Sequence, residues 1–377
     1  MRKLQPKDNY DVVIIGGGVS GLTSAALFSR FGMKVCILEM DARPGGYIAG
    51  FRRKEYRFDS AIHWLNQCGP KGYVTSTFKI IGNDYPKAKT QVNIRKLCLD
   101  DGDYLITNNP QEFMDELISK FPHEEKGIKK FFRHAKKIGT SFEDFTNISR
   151  TMQTMNLFEK AVRGMKMLKF ALPFIPHISY HGDEGVKKGL AKYFKDEKLL
   201  SIFSAEPDLL SCLIPIAWAY IHDFQTPPEG GSQTFAEWLN HVVLEYDNDV
   251  FFQSKVDRII VENKTAKGVE FTYKGDKHKI MGKYVIAACD VETLYEKMLP
   301  KGMVPQKILK SLKNAELYAS AVTLSIGLDC PVEQLGFGEA MVYLGQDSVS
   351  RKAQGDGDPH TSGIHVVASS ARDKSLA

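Results

Sequence analysis

The first forty residues alternate between short apolar runs and one longer mixed segment. Residues 11–15, of which the last four are β-branched, lead directly into glycine, which predicts a buried parallel strand. Residues 20–31 carry apolar side chains at helical spacing, and Gly32 ends that pattern. Residues 34–38 predict a second buried strand that ends at Glu39. The order strand, helix, strand predicts a βαβ unit at the start of an α/β fold.

Further along, helical patterns dominate residues 74–224. The apolar run 209–221 contains Pro215 and is too short to span a bilayer, so it predicts a buried segment. Short strands are predicted later, and the one at 284–288 is apolar on both faces, which favours the central sheet. The predicted strands are 258–261, 268–273, 284–288, 319–328 and 364–368.

Composition excludes several classes of function. The 377 residues carry a net charge of +5, which is too small to indicate a nucleic-acid partner. The six cysteines are scattered without a CxxC pair, so we expect neither a metal site nor a disulfide framework. The short polar N-terminus shows no signal peptide. We therefore expect a cytoplasmic protein, with a peripheral membrane contact as an addition.

The glycine motif GGGVSG at residues 16–21 has the GxGxxG pattern. Gly16 permits a tight turn, Gly18 lets the backbone approach a pyrophosphate, and Gly21 lets the helix pack close to the strand. The amides at the helix N-terminus would then face the phosphates. Glu39 stands at the end of the second strand, where a carboxylate accepts hydrogen bonds from ribose hydroxyls. This context predicts dinucleotide binding, whereas the alternative is a purely structural glycine turn.

A second glycine pair follows this unit. Gly45 and Gly46 come just after Arg43, and a loop of this kind suits a chain that lies along a dinucleotide. A plain turn is the alternative. Because a protein that binds only NAD does not usually need this loop, the motif favours FAD.

Two later motifs also suit a cofactor site. The stretch FDSAIHW at residues 58–64 contains His63, which is either structural or close to the flavin ring. The stretch PEGGS at residues 228–232 precedes a predicted helix at 234–243. A glycine pair at the start of a helix permits close backbone approach to a ligand.

Together these motifs resemble the phytoene desaturase, carotenoid isomerase and retinol saturase family of FAD-dependent oxidoreductases. The resemblance extends through the YVIAACD stretch at residues 284–290. It implies FAD as cofactor, with Val256 as a backbone contact. It also implies a lipophilic isoprenoid or polyene substrate that is desaturated, saturated or isomerised. His63 is the one candidate catalytic residue. The expected cofactor-binding residues are Gly16, Gly18, Val19, Ser20, Gly21, Glu39, Met40, Arg43, Gly45, Gly46, His63 and Val256.

The resemblance also implies the domain organisation. We expect a Rossmann-like FAD-binding domain of the GR2 type, formed by residues 9–68 and 225–296. An inserted mixed α+β substrate domain would take residues 69–224 and 297–377. Family members continue well beyond this length. We therefore expect this chain to bind FAD poorly or not at all and to expose apolar surface beside residues 284–288.

Two other functions fit the same motifs. One is an amine or amino-acid oxidase of the same superfamily, which needs an aromatic cage and an arginine that binds a carboxylate. The other is a non-catalytic isoprenoid-binding protein that does not use flavin. The intact Gly16, Gly18, Gly21 and Glu39 argue against the second alternative.

The segment 152–172 is basic and amphipathic. Lys160, Arg163, Lys166 and Lys169 recur at helical spacing, opposite a face of apolar side chains. One interpretation is a cap helix packed on its own domain, and the other is a contact with a membrane surface.

Overall fold

The computed structural model describes residues 6–7, 9–99, 102–145, 151–204, 206–315, 322–345, 358 and 360–377. The strands in these residues are β1 (Tyr10–Ile15), β2 (Val35–Leu38), β3 (Gly50–Arg53), β4 (Tyr56–Asp59), β5 (Lys89–Thr90), β6 (Asn93–Leu99), β7 (Gly102–Thr107), β8 (Gln225–Thr226), β9 (Asp249–Phe251), β10 (Ser254–Glu262), β11 (Thr265–Tyr273), β12 (Asp276–Ala287), β13 (Met341–Leu344) and β14 (Ile364–Val366). The helices are α1 (Val19–Arg30), α2 (Tyr73–Ile81), α3 (Pro110–Lys120), α4 (Glu125–Phe145), α5 (Leu157–Ala171), α6 (Gly182–Leu190), α7 (Glu197–Ser204), α8 (Leu209–Tyr220), α9 (Gln233–Glu245), α10 (Val291–Thr293), α11 (Gln306–Lys313) and α12 (Ser369–Arg372).

A six-stranded sheet in the order β10-β11-β12-β1-β2-β9 carries the glycine motif. Strands β12, β1, β2 and β9 run parallel, whereas β10, β11 and β12 form an antiparallel meander. The apolar side chains of β1 are buried on both faces, which explains why its sequence has no polar alternation. Helices α1 and α9 cover one face of the sheet, where Leu22 and Leu239 are fully buried. The protein therefore has a Rossmann-like α/β fold, as expected.

A second sheet in the order β14-β13-β6-β7 joins distant parts of the chain. Strand β13 pairs in parallel with β6, so residues 341–344 lie beside residues 95–98. Helices α3, α4 and α8 pack into an aromatic core beside this sheet, with Phe113, Phe131 and Phe132 almost fully buried. The pairing supports a second mixed α+β domain built from two chain segments. The exact domain boundaries stay a prediction.

Most predicted elements are present with small shifts at their ends. The βαβ unit, the antiparallel strands at 258–261 and 268–273, and the strand at 364–366 are all observed. The predicted strand at 284–288 lies in β12 and pairs with β1 in the central sheet. The apolar run 209–221 forms α8, which accommodates Pro215 within the helix.

Two predictions about regular structure were wrong. The predicted helical region contains the hairpin of β6 and β7, which sequence patterning missed because Arg95 and Lys96 interrupt the apolar residues. Residues 322–328 of the predicted strand 319–328 are not a strand, and residues 319–321 lie outside the described part of the chain. Val322, Leu324 and Ile326 are instead 92%, 79% and 67% exposed. Alternation alone does not make a strand, because a strand also needs a hydrogen-bonded partner.

Strand β12 changes partners along its length. Residues 276–281 pair with β11, whereas residues from Gly282 to Ala287 pair with β1. Residues 282–287 therefore have β1 on one side. On their opposite side, no strand of the described residues pairs with them. Tyr284 in that half is 64% exposed, which matches the expected exposed apolar surface beside this strand.

Helix α5 is fixed to α4 by a small aromatic cluster. Phe170 and Phe174 lie with their ring centroids 5.6 Å from Phe142 of α4. Nevertheless none of the residues of α5 is buried. Leu157 and Phe158 are 85% and 77% exposed. Further exposed apolar residues of the helix and of the turns that follow are Met165, Leu168, Leu172, Ile175 and Ile178. The apolar face of α5 thus points away from the protein, and the helix packs on α4 through Phe170 rather than through that face.

Candidate functional site

The turn between β1 and α1 is shaped by three glycines. Gly16 has a φ of +104°, and a Cβ there would lie 2.5 Å from the carbonyl oxygen of Ala288. A Cβ on Gly21 would lie 2.1 Å from the carbonyl oxygen of Gly16, so α1 packs directly on the turn. At Gly18, by contrast, a Cβ would meet nothing within 4 Å. The surface above Gly18 is therefore open, and a ligand can approach the backbone there.

Helix α1 begins at Val19 with Gly18 as its N-cap. No side chain caps this end, so the amides of the first turn that have no main-chain partner remain available. Val19 and Ser20 are exposed in the first turn. The helix N-terminus therefore offers partial positive charge beside the open surface.

Glu39 lies next to this turn and is only 7% exposed. Its Oε2 accepts a hydrogen bond from the Gly17 amide at 2.5 Å, and its Oε1 accepts one from the Asp41 amide at 2.8 Å. Because a carboxylate oxygen has two lone pairs, each oxygen can accept one more hydrogen bond. The side chain is thus held in place with acceptor capacity left for hydroxyl groups.

The glycine pair at 45–46 lies on the GxGxxG turn. The Gly45 amide donates to the Gly17 carbonyl oxygen at 2.8 Å. A Cβ on Gly46 would lie 3.2 Å from the Cα of Gly18, and Gly46 has a φ of +55°. This approach allows little room for any residue other than glycine at these positions. Both glycine motifs therefore belong to one site.

Two other expected residues flank this loop. Met40 is 67% exposed. Arg43 is also exposed and makes no hydrogen bond or ion pair with the described residues. Both side chains are therefore accessible at the rim of the site.

Val256 lies on β10, close to Glu39 in the sheet. The Ser254 amide donates to the Glu39 carbonyl oxygen at 2.8 Å. The Val256 side chain is 5% exposed and packs in the core, opposite Phe271. The side chain of Val256 is therefore not available to a ligand, and a backbone contact stays a prediction.

The PEGGS turn joins the second glycine loop to the β3–β4 hairpin. The amide and hydroxyl of the fully buried Ser232 both donate to Asp59 Oδ1, at 2.9 and 2.7 Å. Gln233 accepts from the Gly50 amide and donates to the Pro44 carbonyl oxygen, each at 3.1 Å. Burial raises the pKa of Asp59, and the hydrogen bonds from Ser232 oppose that rise. The sequence did not predict a role for Asp59, Ser232 or Gln233. Asp59 lies within the FDSAIHW stretch and Ser232 within the PEGGS stretch.

His63 lies beyond β4, close enough to Asp59 for the two charges to influence each other. More than a third of its surface is accessible, yet the surrounding protein lowers the pKa of its ring, and Arg372 lowers it further. The Arg372 guanidinium donates to the His63 carbonyl oxygen. The structure therefore places His63 beside the second sheet, next to an arginine that sequence reasoning missed.

Two other kinds of site are absent from the part of the chain that the structure describes. Within the described residues, no group of three His, Cys, Asp or Glu side chains could hold a metal ion. In the same part of the chain, no helix is both long enough and apolar enough to cross a membrane.

Comparison with known families first identifies the N-terminal unit. Residues 14–81 match the family described as NAD(P)-binding Rossmann-like domain. Among solved structures, a protein of Pyrococcus furiosus has a TM-score of 0.56 at 14% identity and covers 97% of this chain and 76% of that one. Putrescine oxidase has a TM-score of 0.51 at 14% identity, covering 91% of this chain and 71% of the oxidase. These structural similarities concern the fold alone.

The curated relatives are more specific. An inactive all-trans-retinol 13,14-reductase of Danio rerio is 23% identical over 353 residues, which is 89% of this chain and 57% of the relative. A chloroplastic prolycopene isomerase of Daucus carota is 24% identical, over 79% of this chain and 49% of the relative. A 4,4'-diapophytoene desaturase of Methylomonas is 23% identical, over 84% of this chain and 61% of the relative. The chain thus spans roughly half the length of these relatives. The resemblance of this chain to the phytoene desaturase, carotenoid isomerase and retinol saturase family, inferred above from its motifs, is confirmed.

Proposed function

We propose that this chain belongs to an FAD-dependent oxidoreductase that acts on an isoprenoid or polyene lipid. The observation that carries the proposal is the open surface above Gly18 beside the fixed carboxylate of Glu39. These groups match the two demands of the ADP half of FAD, which are close approach of a pyrophosphate and acceptors for ribose hydroxyls. The relatives named as reductase, isomerase and desaturase support the choice of a lipophilic substrate.

Each residue would have a distinct task in binding. The first amides of α1, at Val19 and Ser20, would donate to the pyrophosphate, and Glu39 would accept from the ribose. Gly45 and Gly46 would let the second loop lie close to the dinucleotide. When bound, the flavin supplies hydride transfer, and the protein orients the substrate and excludes water. His63 stays a candidate for contact with substrate or flavin.

The test is a titration of the purified chain with FAD, ADP and FMN, followed by flavin fluorescence and calorimetry. We expect ADP to bind, FAD to bind weakly through its ADP half, and FMN, which lacks the adenosine and the second phosphate, to fail. Glu39→Ala should weaken FAD binding by about 1–3 kcal/mol, because the ribose loses a charged acceptor. Glu262→Ala, at the exposed end of β10, is the matched control and should bind as the wild type does. No binding of FAD or ADP, or FMN binding as tight as FAD, would overturn the assignment.

We also propose that α5 and the turns after it contact an anionic membrane surface, through which a lipophilic substrate would arrive. Leu157, Phe158 and Leu168 are exposed on the face that points away from α4. Lys160, Arg163, Lys166 and Lys169 lie on the same helix. An exposed apolar face combined with basic side chains is the pattern of a helix that lies in a lipid interface.

This membrane contact is tested by sedimentation with liposomes that contain phosphatidylserine. Replacing the four basic residues by glutamine should weaken binding by about 1 kcal/mol per residue. Replacing Leu157 and Phe158 by serine should weaken it as well, because their apolar surface would leave the lipid. A control variant with Lys255, Lys264, Lys267 and Lys274 changed to glutamine, all exposed on the antiparallel strands or their turns, should keep most of its binding. Sedimentation of the α5 variants at the wild-type level would exclude this surface.

A further inference from the structure

A histidine anchors the part of the chain that contains α5. Residues 151–180, called the α5 segment below, comprise α5 and the turns on either side of it, and His177 is the only buried residue among them, with 4% of its surface exposed. Its ring lies against that of His134 on α4, with 5.4 Å between the two ring centroids. Further contacts with α4 come from the partly exposed aromatic cluster around Phe142. The attachment of the α5 segment to α4 therefore depends strongly on the packing of His177.

The two histidine rings differ in their hydrogen bonds. The Nδ1 atom of His134 lies 2.7 Å from the Tyr193 hydroxyl, which can donate to a neutral ring or accept from a charged one. No described residue forms a hydrogen bond with the ring of His177. A charged ring there would lack an acceptor, and an ion without a partner inside a protein is costly. The packing of His177 therefore favours its neutral form, whereas His134 keeps a partner in either form.

The charged groups around the two rings are cations. They are Lys130, Arg133 and Lys137 of α4, which act on His134, and Lys192, which follows α6 and acts on His177. Among the described residues, no carboxylate acts on either ring. The other titratable groups beside the pair are Tyr180 and Tyr193, and burial raises the pKa of Tyr193 to about 12, so its hydroxyl is neutral near pH 7. A proton on His177 would thus be repelled by the charges that act on it.

We propose that His177 is a pH-sensitive anchor, which holds the α5 segment on α4 while its ring is neutral and releases the segment when the ring takes up a proton. Release brings the charged ring into water and away from Lys192 and His134. Helix α5 has fifteen residues and is marginal without tertiary packing, so a released segment would also lose helical structure. This inference goes beyond the proposed function and does not depend on flavin binding or on the membrane contact.

The direction of the pH effect follows from the two states of the ring. Burial, His134 and Lys192 lower the pKa of the docked His177 to about 4, whereas the released ring has the ordinary histidine pKa of about 6.5. The stability that His177 gives to docking is therefore complete above about pH 6.5, and it is lost as the pH falls toward the pKa of the docked form. Between pH 7 and pH 5, the equilibrium constant for release should rise roughly twentyfold.

Hydrogen–deuterium exchange followed by mass spectrometry tests this release. Peptides from the α5 segment and from α9 are compared at pH 7 and pH 5, with exchange times scaled for the intrinsic effect of pH on exchange. We expect the protection of the α5 segment to be roughly twentyfold lower at pH 5, while α9, which packs on the central sheet, keeps its protection. An equal loss of protection in α9 would show unfolding of the whole protein and would overturn local release.

Two variants make the test specific to His177. His177→Phe keeps an aromatic ring at the anchor, His177→Gln keeps a polar group, and neither side chain takes up a proton. In both variants the ratio of the protection at pH 7 to that at pH 5 should be close to one for the α5 segment. His134→Phe should keep most of the wild-type ratio, because His177 still titrates. His241→Phe on α9 is the matched control and should keep all of it, since the His241 side chain is 64% exposed.

The results with these variants decide whether His177 acts as the anchor. A wild-type ratio close to one would refute the proposal, as would a wild-type ratio that persists in either His177 variant. A ratio that is lost in His134→Phe but kept in both His177 variants would assign the titration to His134 and would overturn the proposal as well.

Discussion

Replacing Gly18 by valine would separate ligand binding from folding. Gly18 has φ and ψ angles of −73° and 177°, an extended conformation that valine also adopts. A Cβ at this position meets no atom within 4 Å. We therefore expect Gly18→Val to change the free energy of unfolding by less than about 1 kcal/mol when no ligand is present. The added side chain would nevertheless fill the space that a pyrophosphate needs.

The magnitude follows from ligand linkage. FAD at tenfold its Kd stabilises a protein by about 1.4 kcal/mol, which corresponds to roughly 2 °C in Tm for a chain of this size. We expect this rise in thermal unfolding scans of the wild type and none for Gly18→Val. Gly164→Val is the control, because Gly164 lies on α5 and a Cβ there also meets open space. The same rise in Tm for Gly18→Val as for the wild type would refute the assignment of the turn to phosphate.

Two further perturbations test the structure around the site. Gly21→Val should lower the free energy of unfolding by at least about 1–3 kcal/mol even without ligand, because its Cβ would lie 2.1 Å from the Gly16 carbonyl oxygen; a urea midpoint equal to that of the wild type would contradict this close packing. Burial raises the pKa of Asp59 in the folded protein. The stability that the protonated Asp59 carboxyl contributes is therefore complete below the ordinary pKa of aspartate, and it is lost as the pH rises through the pKa of Asp59 in the folded protein. Asp59→Asn removes this titration while its amide oxygen still accepts from Ser232, so the stability of the variant relative to the wild type should increase with pH, as measured by urea unfolding from roughly pH 4 to pH 8. A difference between the two proteins that is constant with pH would show that Asp59 does not titrate in this way.

Local sequence patterns predicted the elements in which residues close together in the sequence also pack against each other. The βαβ unit is of this kind, because Ile15, Leu22 and Leu38 occur within one short stretch of apolar periodicity. The glycine motif could be assigned for the same reason. The segment 322–328 shows the limit of this approach, since its alternating Val322, Leu324 and Ile326 have the pattern of a strand without the pairing.

The parts of the site that depend on distant contacts were not predictable. Arg372 meets the backbone of His63 across 309 positions of sequence, and no local pattern identifies such a pair. Likewise Asp59 and Ser232 are 173 positions apart and come together only because the PEGGS turn packs against the β3–β4 hairpin. Helix α5 illustrates a different limit. Its amphipathic pattern was clear, but only the packing of Phe170 on Phe142 determines which face remains exposed.

The way in which Glu39 is held has a consequence for the kinetics of ligand capture. Its backbone amide donates to Phe251, its carbonyl oxygen accepts from Ser254, and its carboxylate accepts from Gly17 and Asp41. The rotamer entropy of this side chain is therefore already lost when the protein folds, before a ligand arrives. Association at this half of the site would need no slow local ordering. Stopped-flow mixing with ADP would then give a single phase whose observed rate rises linearly with nucleotide concentration, without a plateau.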